Sequence, residues 1–483
     1  MVTALFLAIV LGTMLGALYY GHRQSRGRSL DEWAVGGRRF GSWIFWFINA
    51  GEIYTTFAVL GIAGYAWAFG APAYLAFTSV SLACALGYWL MPQIWEAGRR
   101  HGLVTQADFF QHRYGATWLG VIVGVAGIAA LVVYVQIQLT ALSLILRLTL
   151  GTDVSPLQSA LLAAAVMLAF VYVAGLRSAA FAASVKDILM IVLVVGLSFS
   201  VASEVGASSM LDVYRLAQQE YPGIGSFPGL KPEANLTTTW LVTAALNVAL
   251  GTWIFPHMFQ LIFSAGSVTA IRRNAMWQPL YSLSYFFIIL LGFGALLAGT
   301  QPPDGNMNAV LLQFVSDRYP AWAIGLLAGA ASLLALVPGS ILLLAAASIF
   351  GRNVVLPLKR DLGDAAQLWV SRAALVCFAG VAVWLTLTSN RSLVEIGLSA
   401  YAAIGMLAPG VFLGLLWART SAVAVLAGML VGYAVLLLPA ARAFWAAQLP
   451  EWDRGLIAMG VNATVVIVVS LLVPARSSRQ SPR

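Results

Sequence analysis

Charge is what this chain has least of. Only 9% of its 483 residues are Asp, Glu, Lys or Arg, against 60% hydrophobic residues and a mean hydropathy of +0.86. Soluble domains are roughly one-quarter charged, so a soluble fold is excluded and an all-α integral membrane protein is expected. Cysteine is nearly absent. Cys84 and Cys377 both fall inside apolar runs, which excludes a disulfide framework or a thiolate metal site and reads them as small core residues. A Walker loop, a metal-binding histidine pair and a nucleophile elbow are also missing, and the connecting loops are short, so neither an enzyme nor a bound cofactor is expected. The net charge of +9 comes from arginines clustered between apolar runs, which points away from nucleic acid and towards a lipid bilayer.

What is abundant is long apolar sequence. Runs of 19 or more residues divide the chain into about thirteen transmembrane spans. They include Val2–Tyr20, Ser42–Phe69, Ser155–Gly175, Ala179–Ala202, Thr237–Ser264, Ala321–Phe350, Leu393–Trp417 and Ala422–Ala440. Every alternate connection is basic, with Arg23, Arg26, Arg28, Arg38 and Arg39 in the first, Arg99, Arg100 and Arg113 in the next, then Arg177, Arg272 and Arg273, Arg352 with Lys359 and Arg360, and Arg419. Basic connections stay on the cytoplasmic side, so the N-terminus is expected outside and the C-terminal tail inside the cell membrane. The first run lacks a basic n-region, which makes it a helix rather than a cleaved signal peptide.

An ionisable side chain inside a span costs at least a few kcal/mol, so each one is a functional candidate. Glu52 is the deepest, about 15 Å along its span, with Asn49, Thr55 and Thr56 at helical spacing on one polar stripe. It is either a structural acid or a coupling group. Lys186 and Asp187, a third of the way along the sixth span, either snorkel to the surface or work inside. His257 beside Pro256 is either a packing residue or a substrate or proton ligand. On the fourth span Tyr134 and Gln138 share a face and Gln136 points away; Pro338, Gly339 and Ser340 predict a kink or unwinding in the ninth.

Four stretches, AVGGRRFGSW, TQADFFQHRYG, YVAGLRSAAFAASVKD and FPHMFQLIFSAGSVTAIRRNA, together resemble the solute:sodium symporter family across nearly the whole chain. That resemblance implies a leucine-transporter-type fold: two inverted five-helix repeats, residues 42–202 and 237–417, each opening on a broken helix. Residues 1–21 then form a peripheral helix, 422–473 two more, and 474–483 the tail. The sequence GEIYTTF, the Lys186–Asp187 pair and LVPGSI look like the monocarboxylate permease branch. This implies a secondary active symporter importing a small organic anion such as lactate, pyruvate or acetate, functional as a monomer. A sodium-coupled carrier of an amino acid or vitamin-like acid, or a membrane sensor without transport, are the alternatives.

The chain departs from the family where sodium binds. Sodium-coupled members carry two adjacent hydroxyl residues on the helix that here presents Val337 and Pro338, and a hydroxyl where this chain has Lys186. The expectation is therefore an internal Lys186–Glu52 ion pair in place of the bound cation, with Asp187 and Asn49 nearby and H+ rather than Na+ as coupling ion. Burial moves lysine and carboxylate titration by several units. Tyr54, Thr55, Thr56, Tyr134, Gln138, Trp253, His257 and Ser340 are the expected substrate contacts, with half-helix N-termini receiving the carboxylate.

Overall fold

The computed structural model describes residues 1–24, 35–150, 154–174, 176–359 and 363–473. Arg26, Arg28, Arg360 and the tail 474–483 lie outside the described residues. In chain order the longer helices are α1 Val2–Gln24, α2 Ser42–Gly51, α3 Ile62–Phe69, α4 Leu75–His101, α5 Gln106–Tyr114, α6 Thr117–Leu150 and α7 Pro156–Ala174. There follow α8 Leu176–Glu204, α9 Met210–Glu220, α10 Thr238–Thr252, α11 Pro256–Ser264, α12 Val268–Trp277, α13 Pro279–Leu297 and α14 Val310–Arg318. The series ends with α15 Ala321–Ile349, α16 Asp364–Thr388, α17 Leu393–Gly405, α18 Ala408–Leu416, α19 Ala422–Leu437, α20 Pro439–Gln448 and α21 Arg454–Leu472.

Among the described residues, eight continuous stretches are long and apolar enough to cross a membrane, and three bent pairs bring the total to eleven. The other two expected spans take a different form. Ser42–Phe69 is interrupted at residues 52–55 and resumes as a π-helical turn, Phe57–Gly61, leading into α3. The fifth appears as the shorter α7. The expected twelfth span is not straight to Ala440: Leu438 is extended before Pro439, as a residue preceding proline prefers, and α20 turns away from α19 by 81°.

The degree of burial sorts the helices. The most apolar stretch of α15 is 94% buried and packs along α6, α1 and α8, whereas that of α1 is 22% buried and covers the outside. Pro338 does not unwind α15, which is continuous from Ala321 to Ile349. Proline removes one N–H, and neighbours on every side hold the helix in line. Its irregular turn comes later, at the π-helical stretch Phe350–Val355. Cys84 is buried, but Cys377 is exposed on α16 and is not a core residue.

The clustered arginines gather at one end of the bundle, hereafter the basic face. There Arg38 donates to the carbonyls of Gly98 and Leu103 (3.3 and 2.6 Å), and Arg113 to those of Gly414 and Trp417 (2.5 and 3.2 Å). Thr105 and Asp108 form a capping box at the start of α5. Asp108 also accepts from Arg352 (2.8 Å) and Asn353 (2.7 Å), which ties α5 to the end of α15. Asp108→Ala removes a helix cap and a charged hydrogen bond together. A loss of about 2–4 kcal/mol is expected, read as a lower melting temperature in detergent.

Candidate functional site

Two helix breaks meet in the middle of the bundle. The first is the unwound stretch 52–55 between α2 and the π-turn. The second is at Trp253–Phe255, where α10 stops and α11 restarts at Pro256 with a 52° bend. Both spans were expected to break; the 42° bend between α17 and α18 was not. Proline suits the first turn of α11, because the N–H it lacks has no intrahelical partner there.

Lys186 is fully buried, and its ammonium lies against the first break. It donates to the Gly51 carbonyl (2.9 Å), the Tyr54 carbonyl (3.3 Å) and Asp187 Oδ1 (2.5 Å). Three N–H donors thus face three oxygens. Two of them are carbonyls that a continuous helix would have kept for itself. Lys186 and Asp187 both have no exposed side-chain surface, so snorkelling to the basic face is excluded.

The expected Lys186–Glu52 pair is not what forms: Lys186 pairs with its own neighbour Asp187. Glu52 is instead 3.8 Å from His257 Nε2, across from the second break. The reason is local. Unwinding after Gly51 aims the Gly51 and Tyr54 carbonyls at α8, while the Glu52 side chain is carried to the α11 side. Among the described residues, neither carboxylate oxygen of Glu52 has a hydrogen-bond partner, and neither does either ring nitrogen of His257.

Around the Glu52–His257 pair stand Tyr134, with its ring 6.0 Å from the His257 ring, then Phe255 and Tyr401. Gln138 accepts from the Thr56 hydroxyl (2.8 Å), leaving its Nε2 unpaired, and the buried Thr55 hydroxyl is unpaired too. Gln136 turns away and donates to the Leu385 carbonyl. The structure thus brings Glu52, Thr56, Tyr134, Gln138 and His257 together. Phe255 and Tyr401 were missed, being apolar or aromatic residues that sequence alone files as packing.

Four expected residues lie elsewhere. Trp253 points its indole at α4, donating to the Ala83 carbonyl (2.6 Å) over Gly87, where a Cβ would come within 2.7 Å of the ring. Tyr54 packs its ring on Tyr281 and Tyr285 of α13. Ser340 donates to Leu336 of its own helix, four residues back. Asn49 accepts from Asn274 Nδ2 of α12 (2.7 Å). In this structure the first three side chains make packing or helix-internal contacts.

A family model for the sodium:solute symporter family matches residues 33–432. An uncharacterized symporter of Bacillus subtilis, YhjB, is 30% identical over 96% of this chain and 96% of its own. A monocarboxylate transport permease protein of Rhizobium johnstonii is 27% identical over 93% of this chain and 91% of its own. Among solved structures, a Na+-coupled sialic acid symporter in a substrate-bound outward-open state superposes with a TM-score of 0.79 at 16% identity, covering 98% of both chains. The fold is therefore the leucine-transporter type. With the broken helices meeting at buried ionisable groups and a family match over most of its length, this chain belongs to the sodium:solute symporter family: it is a membrane symporter, not an enzyme.

Proposed function

We propose that this symporter imports a small monocarboxylate and is driven by protons. The observation that carries the coupling half is the Lys186 ammonium held by Gly51 O, Tyr54 O and Asp187 Oδ1. A monovalent cation seeks the same kind of oxygen cage, and a lysine already fills it. Val337 and Pro338 on α15 supply no hydroxyl to enlarge it. Proton transfer at the Lys186–Asp187 pair then does the work a bound cation would do, loosening and restoring the hold on the first break in each cycle.

The substrate half rests on the relative named above as a monocarboxylate transport permease protein and on the chemistry between the breaks. A carboxylate needs donors, and the unpaired ones there are Gln138 Nε2, the Thr55 hydroxyl and the His257 ring, beside the N-terminal turn of α11. Tyr134, Phe255 and Tyr401 form an apolar wall suited to a short carbon chain. In this reading the basic face is cytoplasmic, the N-terminus is outside, residues 42–202 and 237–417 are the moving repeats, and one chain suffices.

Reconstituted protein with imposed gradients tests both halves. Uptake of labelled pyruvate or lactate is expected to follow an inward proton gradient without sodium; uptake driven by sodium at fixed pH, and blind to the proton gradient, refutes the coupling. A competition panel of unlabelled monocarboxylates and amino acids reads the substrate class. His257→Ala is expected to weaken apparent affinity about tenfold or more, the value of one hydrogen bond to a charged ligand, at unchanged abundance in the membrane. Unchanged affinity removes His257 from the site.

A further inference from the structure

A line of buried polar side chains leaves the Lys186–Asp187 pair in the direction of the basic face. Tyr281 on α13 places its hydroxyl beside the Asp187 carboxylate. Gln278 lies three residues earlier, so on the same side. Asn274 of α12 donates to Gln278 Oε1 (3.1 Å) and to Asn49 Oδ1 (2.7 Å). Asn274 is flanked by the exposed Arg272 and Arg273, and Asn49, Asn274, Gln278 and Tyr281 are all nearly inaccessible. From Tyr281 to Asn274 is seven helical residues, about 10 Å.

This line is neither apolar nor satisfied. Among the described residues, Gln278 Nε2, Asn274 Oδ1 and Asn49 Nδ2 lack a hydrogen-bond partner. Buried polar atoms nearly always have partners, and where protein supplies none, water bridging two to four of them does. Three unpaired atoms in succession, mixing donors and an acceptor, match bridging waters better than a packed core. At membrane depth such groups mark ion and proton routes. The Asn49–Asn274 hydrogen bond joins α2 to α12 across the end of the line.

We infer that Tyr281, Gln278, Asn274 and Asn49 form a hydrated exit wire that carries the coupling proton from the Lys186–Asp187 pair to the basic face, gated by the Asn49–Asn274 bond. This rests on the proton-coupled reading above. It assigns the route and the gate, which that reading leaves open, and makes Asn49 a gate residue.

Net uptake requires the proton to be released inside in every cycle, whereas exchange of labelled for unlabelled substrate proceeds with the proton retained. Gln278→Leu and Asn274→Leu are therefore expected to slow proton-driven net uptake roughly tenfold, with exchange within about twofold of wild type. A cysteine placed at Gln278 in a background without Cys84 and Cys377 is expected to react with a membrane-impermeant thiol reagent applied from the basic face. Net uptake and exchange falling together, or neither changing, overturns the wire, as does an unreactive cysteine. Wild-type uptake that ignores the proton gradient overturns the coupling reading and the wire with it, an outcome visible before any variant is made.

Discussion

Replacing Lys186 by Met together with Asp187 by Asn is expected to leave a folded protein that no longer accumulates substrate against its gradient. Gradient-driven uptake should fall by roughly two orders of magnitude, equivalent to about 2.7 kcal/mol at the coupling step. The double change matters because of where the charges are. Both side chains are fully buried, so removing one alone leaves the other uncompensated, at a cost of about 3–5 kcal/mol. Lys186→Met by itself is therefore expected to lower abundance in the membrane. Neutral, similarly sized replacements at both positions avoid that cost while removing the groups that exchange a proton. A double variant that accumulates substrate with wild-type dependence on the proton gradient would mean that the pair is only a structural tie between α8 and the first break.

Gly51→Ala should be nearly as damaging, although it adds one methyl group. A Cβ at Gly51 would stand 2.5 Å from Asp187 Oδ2 and 3.0 Å from Lys186 Nζ. Neither group is free to give way, since the ammonium is held by three oxygens, one of them the Gly51 carbonyl itself. Backbone conformation is not the obstacle, because Gly51 is the last residue of α2, and alanine is intrinsically the better helix former by about 1 kcal/mol. The damage is therefore expected in transport, a loss of roughly tenfold or more, with a lower melting temperature from the buried overlap. Gly196→Ala on α8 is the matched control, because its Cβ would meet nothing within 4 Å. Equal effects of the two substitutions on uptake would show that close approach of the ion pair to Gly51 is unimportant.

These two expectations sit on different parts of what could be read in advance. Lys186 and Asp187 stood out in the sequence because a charge in an apolar run is expensive, and that cost does not depend on knowing its neighbours. Gly51 did not stand out as an ion-pair neighbour. It was one of several glycines in its span, and only the approach of α8 gives it a task. Phe255 and Tyr401 went unread for a similar reason: aromatic residues in a membrane span look alike whether they face lipid, a neighbouring helix or a substrate.

Sequence alone determined that the chain is a multi-span membrane protein, that the second and seventh spans break, and that Glu52, Lys186, Asp187 and His257 fall within spans. Each of these follows from local quantities: run length against bilayer thickness, proline and glycine against helix continuity, and charge against hydrocarbon. Pairing was decided only by the tertiary structure. Glu52 and Lys186 start from neighbouring helices, and a helical period does not say which way an unwound backbone will turn its side chains. Once residues 52–55 leave the helix, their carbonyls serve Lys186 while the Glu52 carboxylate reaches His257 on α11. Periodicity carries information only while the helix lasts, and this site is built where two helices stop.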